Sequence, residues 1–256
     1  MNVDRHQALP RTGDVLALPD LPMRLTRRLL AAGLRTHYHV TSHNPEFVPR
    51  TGPVLLASNH VGYLDGPLLV TMCLRPVHAM VKREMYVGRL GMALTAAGQI
   101  PLTRRHVDPR AVKLALRALR DDKVVAIYPE GTRGPGDGQF VKPGLAYLAL
   151  VTGAPVVPVA VLGTRDPGQG IDWLPPRGQR IEIVYGEPVL TAIQPWPRRR
   201  HDVQALTSEL QKLLIEHIAE AIRFTGVRLP GRAPNQEGPE RGSVNLAGES
   251  PSQTAS

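Results

Sequence analysis

Six short apolar or β-branched runs recur along the chain: VLLAS (54–58), VHAMVK (77–82), QIPLT (99–103), VVAIY (124–128), VVPVAVL (156–162) and RIEIVYG (180–186). Each has the length of a strand rather than of a buried helix, and helical patterns sit between several of them. Parallel strands need long crossovers, and these crossovers place helices on the faces of the sheet. The spacing therefore predicts an α/β fold: a single layered domain with a mostly parallel central sheet flanked by helices.

The clearest helical pattern is DPRAVKLALRALRDD, where Asp108 is placed to cap the helix, Pro109 suits the first turn, and Val112, Ala115, Leu116 and Leu119 share an apolar face. A second runs from about Asp202 to Phe224, with Leu206, Leu210, Leu213, Leu214 and Ile218 as its stripe. A third, over residues 22–34, places Leu25, Leu29 and Ala32 on one face and Arg24, Arg27 and Arg28 around the rest. That N-terminal amphipathic helix has two readings: it covers one side of the core, or it lies in a membrane interface with leucines among acyl chains and arginines on anionic headgroups. The longest uncharged stretch, residues 143–164, is broken by Gly153, Pro155 and Pro158. It reads as helix, turn and buried strand rather than as a membrane span.

At 256 residues the chain suits one sizeable domain. We expect a flexible N-terminus over 1–20, a folded domain over 21–228, and a disordered tail over 229–256, where Gly, Pro, Ser, Asn and Glu replace large apolar residues. Thirty-one Lys and Arg against 22 Asp and Glu leave a formal charge of +9, which points to an anionic partner: phosphate, nucleic acid or a membrane surface. With three Phe, six Tyr, two Trp and no nucleic-acid-binding motif, the chain lacks stacking platforms, so no nucleic acid partner is expected. The single cysteine, Cys73, excludes an intrachain disulfide and suits a reducing, cytoplasmic compartment. No secretory signal is evident at the start. His37, His39 and His43 read as strand histidines facing solvent, because no cysteine or close carboxylate completes a metal site.

Four segments carry candidate chemistry, each at or after a strand. Ligands of such sheets bind beyond the carboxyl ends of the strands, so distant segments converge there. In ASNHVGYLDG (57–66), His60 and Asp65 are five residues apart, roughly 500° around a continuous helix, so a turn must fold the loop before they meet. Gly62 and Gly66 permit one. Asp65 then fixes the tautomer of His60 and leaves its other nitrogen free to take a proton, an arrangement that lacks only a nucleophile. A substrate hydroxyl can supply it. YPEGTRG (128–134) follows VVAIY and offers Glu130, Gly131, Thr132 and Arg133, the last with a planar fork that matches phosphate oxygens. GQIPLTRR (98–105) delivers Arg104 and Arg105 at a strand end, and VVPVA (156–160) is an apolar strand suited to lining a core or an acyl pocket. Each segment taken singly is compatible with an ordinary turn or strand.

In this order they resemble the four sequence blocks of the glycerolipid acyltransferases, the 1-acylglycerol-3-phosphate acyltransferase or PlsC-like family. NHxxxxD is matched by Asn59, His60 and Asp65, the second block by Gly98 and Arg104, FPEGTR by YPEGTR, and the apolar-Pro-apolar strand around Pro158. KREMY (82–86) and FVKPGLAYLA (140–149) resemble the segments between blocks, and the likeness covers residues 36–190. Pro101 departs from the family, in which an aromatic residue is common at that position. The resemblance implies transfer of an acyl group from acyl-CoA or acyl carrier protein, as co-substrate and without a cofactor or metal, to the 2-hydroxyl of lysophosphatidic acid. It implies His60 as general base and Asp65 as its orienting carboxylate. It also implies that Arg133, with Arg104, Glu130, Gly131 and Thr132, holds the acceptor phosphate, and that Lys82 adds positive charge for either substrate. An enzyme peripheral on a cytoplasmic, anionic membrane surface is expected. The same blocks also serve other acceptors (glycerol 3-phosphate, other lysophospholipids, aminolipids), and a non-catalytic lipid-binding module is the rival of a different class.

Overall fold

The computed structural model describes residues 10–104 and 107–234. Its elements are α1 (Leu21–His37), β1 (His39–His43), β2 (Val54–Ser58), α2 (Asp65–Met72), β3 (Val77–Lys82), α3 (Gly88–Ala96), β4 (Ile100–Leu102), α4 (Pro109–Arg120), β5 (Val124–Ile127), α5 (Gly144–Thr152), β6 (Val156–Leu162), β7 (Arg180–Tyr185) and α6 (Arg200–Thr225). The seven strands form one sheet in the order β1-β7-β6-β2-β5-β3-β4. β2 to β6 are parallel, whereas β7 is antiparallel to β6 and parallel to β1. The reversal has a local cause: residues 163–179 between β6 and β7 contain no crossover helix to return the chain to the starting edge.

All six runs became strands because both sheet faces are covered. Leu56, Ala79, Ala126, Val159 and Ile183 face the cluster under α1 and α2, while Leu55, Ala57, Val125 and Ile127 pack toward α4, α5 and α6. Such two-sided burial requires continuous apolar runs rather than alternating ones. β2, β5 and β6 are buried along their whole length. Asp108 caps α4 as expected, its carboxylate accepting from the amides of Arg110 and Ala111, a contact worth about 1 kcal/mol against alanine.

Three boundaries differ from expectation. Residues 10–18, expected as a flexible start, pack against α4: Arg120 donates to Thr12 Oγ1 (2.8 Å) and to Pro10 O (3.1 Å), Lys113 pairs with Asp14, and Val15 and Leu18 join the core. At the other end, Leu229, Pro230 and Ala233 are at least partly buried, so the segment expected to begin a tail is held as far as Ala233. Residues 1–9 and 235–256 lie outside the described residues. The third is α1, which runs about one turn past residue 34 and takes in His37, leaving only His39 and His43 on β1. It packs on α2 through Met23, Ala31 and Leu34, while Leu25 (68%) and Leu29 (76%) are exposed. The leucine face predicted from the helical wheel is thus not the face that meets the core.

Candidate active site

Five parallel strands end at one edge of the sheet, and β2 delivers Asn59 and His60 there. The Asn59 side chain continues the ladder to β6: its Nδ2 donates to Val161 O (3.1 Å) and its Oδ1 accepts from Val161 N (2.8 Å). His60 is thereby fixed at the first position beyond the sheet. The following loop turns back, and Asp65 opens α2 with its Oδ2 2.8 Å from His60 Nδ1. The same oxygen accepts from the amides of Val61 (2.7 Å) and Gly62 (2.9 Å), and Oδ1 accepts from the Thr164 hydroxyl. Asp65 is fully buried. A carboxylate bound by four donors is rigid, and one that receives Nδ1–H leaves Nε2 as the basic nitrogen. The loop also requires glycine at 62, since a Cβ there would stand 2.6 Å from Thr164 O.

The imidazole lies on the ring of Tyr128, the residue after β5. Two residues on, Glu130 is buried, and its Oε1 has no hydrogen-bond partner. Burial, with smaller contributions from the charges of Asp137 and Asp65, pushes this carboxyl up to about 8. Gly131 adopts φ 72°, and a Cβ there would lie 2.6 Å from Lys142 Nζ. Glycine at this position therefore makes room for an ammonium group. Arg104 donates from Nη1 to Gly131 O (3.2 Å), so two cations flank this glycine.

Arg133 extends toward the loop between His60 and Asp65, its guanidinium 5.7 Å over the Tyr63 ring. It also donates to Ile171 O (2.5 Å) and pairs with Asp172 (3.0 Å), a carboxylate that is 80% exposed. An anionic ligand at Arg133 competes with a well-solvated partner, an exchange of low cost. Thr132 is exposed beside it. Lys82 ends β3 at the same edge, and its ammonium joins none of the hydrogen bonds or ion pairs among the described residues. The sheet edge thus brings His60, Asp65, Glu130, Gly131 and Arg104 together, sets Arg133 beside them, and leaves Lys82 at the margin. Arg105 lies outside the described residues.

Three residues of the site and one behind it carry no signal in the sequence motifs. Tyr128 appears there only as an aromatic variant of a phenylalanine, and Lys142 only as part of FVKPGLAYLA. Thr164, in the site, and Arg165, directly behind it, follow the end of β6, the position at which ligands of such sheets are expected. Among the described residues no group of three or more His, Cys, Asp or Glu side chains could hold a metal. His43 instead pairs with Glu182 (2.7 Å).

Residues 39–162 match the family model described as Acyltransferase. The chain is 27% identical to the 1-acyl-sn-glycerol-3-phosphate acyltransferase of Bacillus subtilis, over 69% of this chain and 87% of that protein. It is 26% identical to the enzyme of the same name from Borreliella burgdorferi, over 47% of this chain and 50% of that protein. The fold matches the crystal structure of the 1-acyl-sn-glycerophosphate (LPA) acyltransferase PlsC from Thermotoga maritima with a TM-score of 0.57 at 22% identity, covering 77% of this chain and 79% of that one.

Proposed function

We propose that this chain, which is similar to the acyltransferases over residues 39–162, moves a fatty acyl group from a thioester, acyl-CoA or acyl carrier protein, to the 2-hydroxyl of 1-acylglycerol 3-phosphate, giving phosphatidic acid. The observation that carries this reading is the His60–Asp65 pair, an oriented base whose hydrogen bonds include no serine or cysteine. The acceptor's hydroxyl is then the nucleophile. His60 Nε2 takes its proton as the oxygen attacks the thioester carbon, and the imidazolium is stabilised by Asp65. The tetrahedral intermediate collapses with cleavage of the C–S bond, and the proton passes from His60 to the leaving thiolate. Arg104, Lys142 and Arg133 ring the PEGTR loop with positive charge suited to the acceptor's phosphate. The names of the curated relatives support this acceptor.

The same reading sets the enzyme peripherally on the cytoplasmic side of an anionic membrane. No helix among the described residues is long and apolar enough to cross a membrane. α1 exposes Leu21, Leu25, Leu29 and Leu30 interleaved with Arg24 and Arg28, the pattern of an interfacial helix.

The test is to incubate the purified chain in detergent with acyl-CoA, and separately with acyl-acyl carrier protein, together with lysophosphatidic acid, glycerol 3-phosphate, other lysophospholipids and aminolipids, and to weigh the products. Phosphatidic acid as the main product supports the reading. Acylation of a different acceptor replaces it, and binding of lipid without thioester consumption overturns it.

A further inference from the structure

The largest buried cation among the described residues stands behind the site rather than in it. Arg165, three residues beyond β6 and 1% exposed, spends its guanidinium on backbone carbonyls: Nε donates to Val61 O (2.7 Å), Nη1 to Gln169 O (2.9 Å), and Nη2 to Gly134 O (2.6 Å) and Gly231 O (2.9 Å). Val61 belongs to the loop of the base, Gly134 directly follows Arg133, and Gly231 lies in the C-terminal segment. The two loops also meet directly where the Gly134 amide donates to His60 O (2.8 Å). Burying a cation is costly, and no carboxylate is hydrogen-bonded to this one, so four carbonyl dipoles and the nearby charge of the buried Asp65 offset that cost. Only a planar fork reaches carbonyls on opposite sides at once; a compact ammonium does not.

We propose that Arg165 is a positioning residue that sets the distance between the base, His60, and the phosphate-holding Arg133, by clamping the loops that carry them. The inference rests on the functional reading given above. It differs from a general stabilising role in one respect: the effect of Arg165 passes through Arg133, so the two residues are energetically coupled.

Kinetics of transfer from acyl-CoA to lysophosphatidic acid are measured for the full chain, Arg165→Lys, Arg133→Ala and the double variant, with circular dichroism to check folding. Misplacement by about 1 Å costs as much as 100-fold, so Arg165→Lys is expected to lower kcat/KM for the acceptor by about 10- to 100-fold. Coupling predicts that in the Arg133→Ala background the same change costs severalfold less; losses that simply multiply overturn the proposal. Hydrogen exchange gives a readout that needs no turnover: protection of the Gly134 amide falls in Arg165→Lys while β2 and β5 keep theirs. Unchanged protection at Gly134 overturns the proposal, whereas a folded wild-type chain that transfers no acyl group overturns the functional reading instead. If Arg165→Lys fails to fold, Arg165→Gln, neutral and with two donors, is measured in the same way.

Discussion

The rings of His60 and Tyr128 lie face to face, their centroids 4.2 Å apart and their planes 24° from parallel. The imidazole is therefore fixed on two sides, at its edge by Asp65 and on its face by Tyr128. The phenol hydroxyl contributes nothing visible to this support: it is buried, has no hydrogen-bond partner, and burial together with the nearby Asp65 charge pushes its pKa well above the ordinary value. Tyr128→Phe removes an unsatisfied polar group and keeps the stacked ring. It should raise stability by about 1 kcal/mol and leave transfer unchanged, as read by thermal unfolding and acyltransferase assay. A tenfold loss of activity would place the hydroxyl on the substrate.

Removing His60, the proposed base, should separate chemistry from folding. His60→Ala is expected to lower kcat by about 100- to 10,000-fold with little change in Tm, because the imidazole is partly exposed. Asp65→Asn should lower both activity and Tm, since the buried carboxylate accepts four hydrogen bonds that an amide cannot all accept. Full activity in the His60→Ala protein would sink the mechanism.

Thr164 tests the far side of the same carboxylate. Thr164→Val keeps the shape and deletes the donor to Asp65 Oδ1, at a cost of about 1.5–3 kcal/mol for a hydrogen bond to a charged group. Transfer should slow about tenfold, the loss appearing in kcat rather than in the acceptor KM. A change confined to Tm would restrict Thr164 to folding.

Glu130 should make stability fall as pH rises. Its folded value of about 8 lies above the value of 4.5 for a free glutamate, so between these limits the folded chain holds a proton that the unfolded chain has released. The group destabilises progressively from about pH 4.5 to 8, with no further change beyond that. Glu130→Gln should therefore match the wild type at pH 4 and exceed it in Tm at pH 9, each 1 kcal/mol being worth roughly 2–4 °C. Equal Tm values at pH 9 would mean that the carboxyl ionises freely.

The exposed leucines of α1 are expected to serve the membrane and not the core. Leu25→Ser with Leu29→Ser should change stability by no more than about 1 kcal/mol in all, as surface substitutions do. Co-sedimentation with vesicles containing anionic lipid should weaken by about tenfold or more. Undiminished sedimentation would assign membrane contact to another surface.

Much of this protein was legible in its sequence because the relevant information is local. The six strands, the Asp108 cap and the helix over Arg200–Thr225 follow from periodicity and end signals spanning a few residues. The turn that returns Asp65 to His60 follows from a spacing too wide for one helical face. Tertiary structure decided what depends on distant segments meeting. Thr164 reaches Asp65 across 99 positions and Arg165 reaches Val61 across 104, and no local pattern encodes such pairings. The outward leucine face of α1, the docking of residues 10–18 against α4, and the stacking of Tyr128 on His60 belong to the same class. Each is settled by which surfaces the assembled sheet leaves to be covered, a property of the whole fold and not of any one stretch of chain.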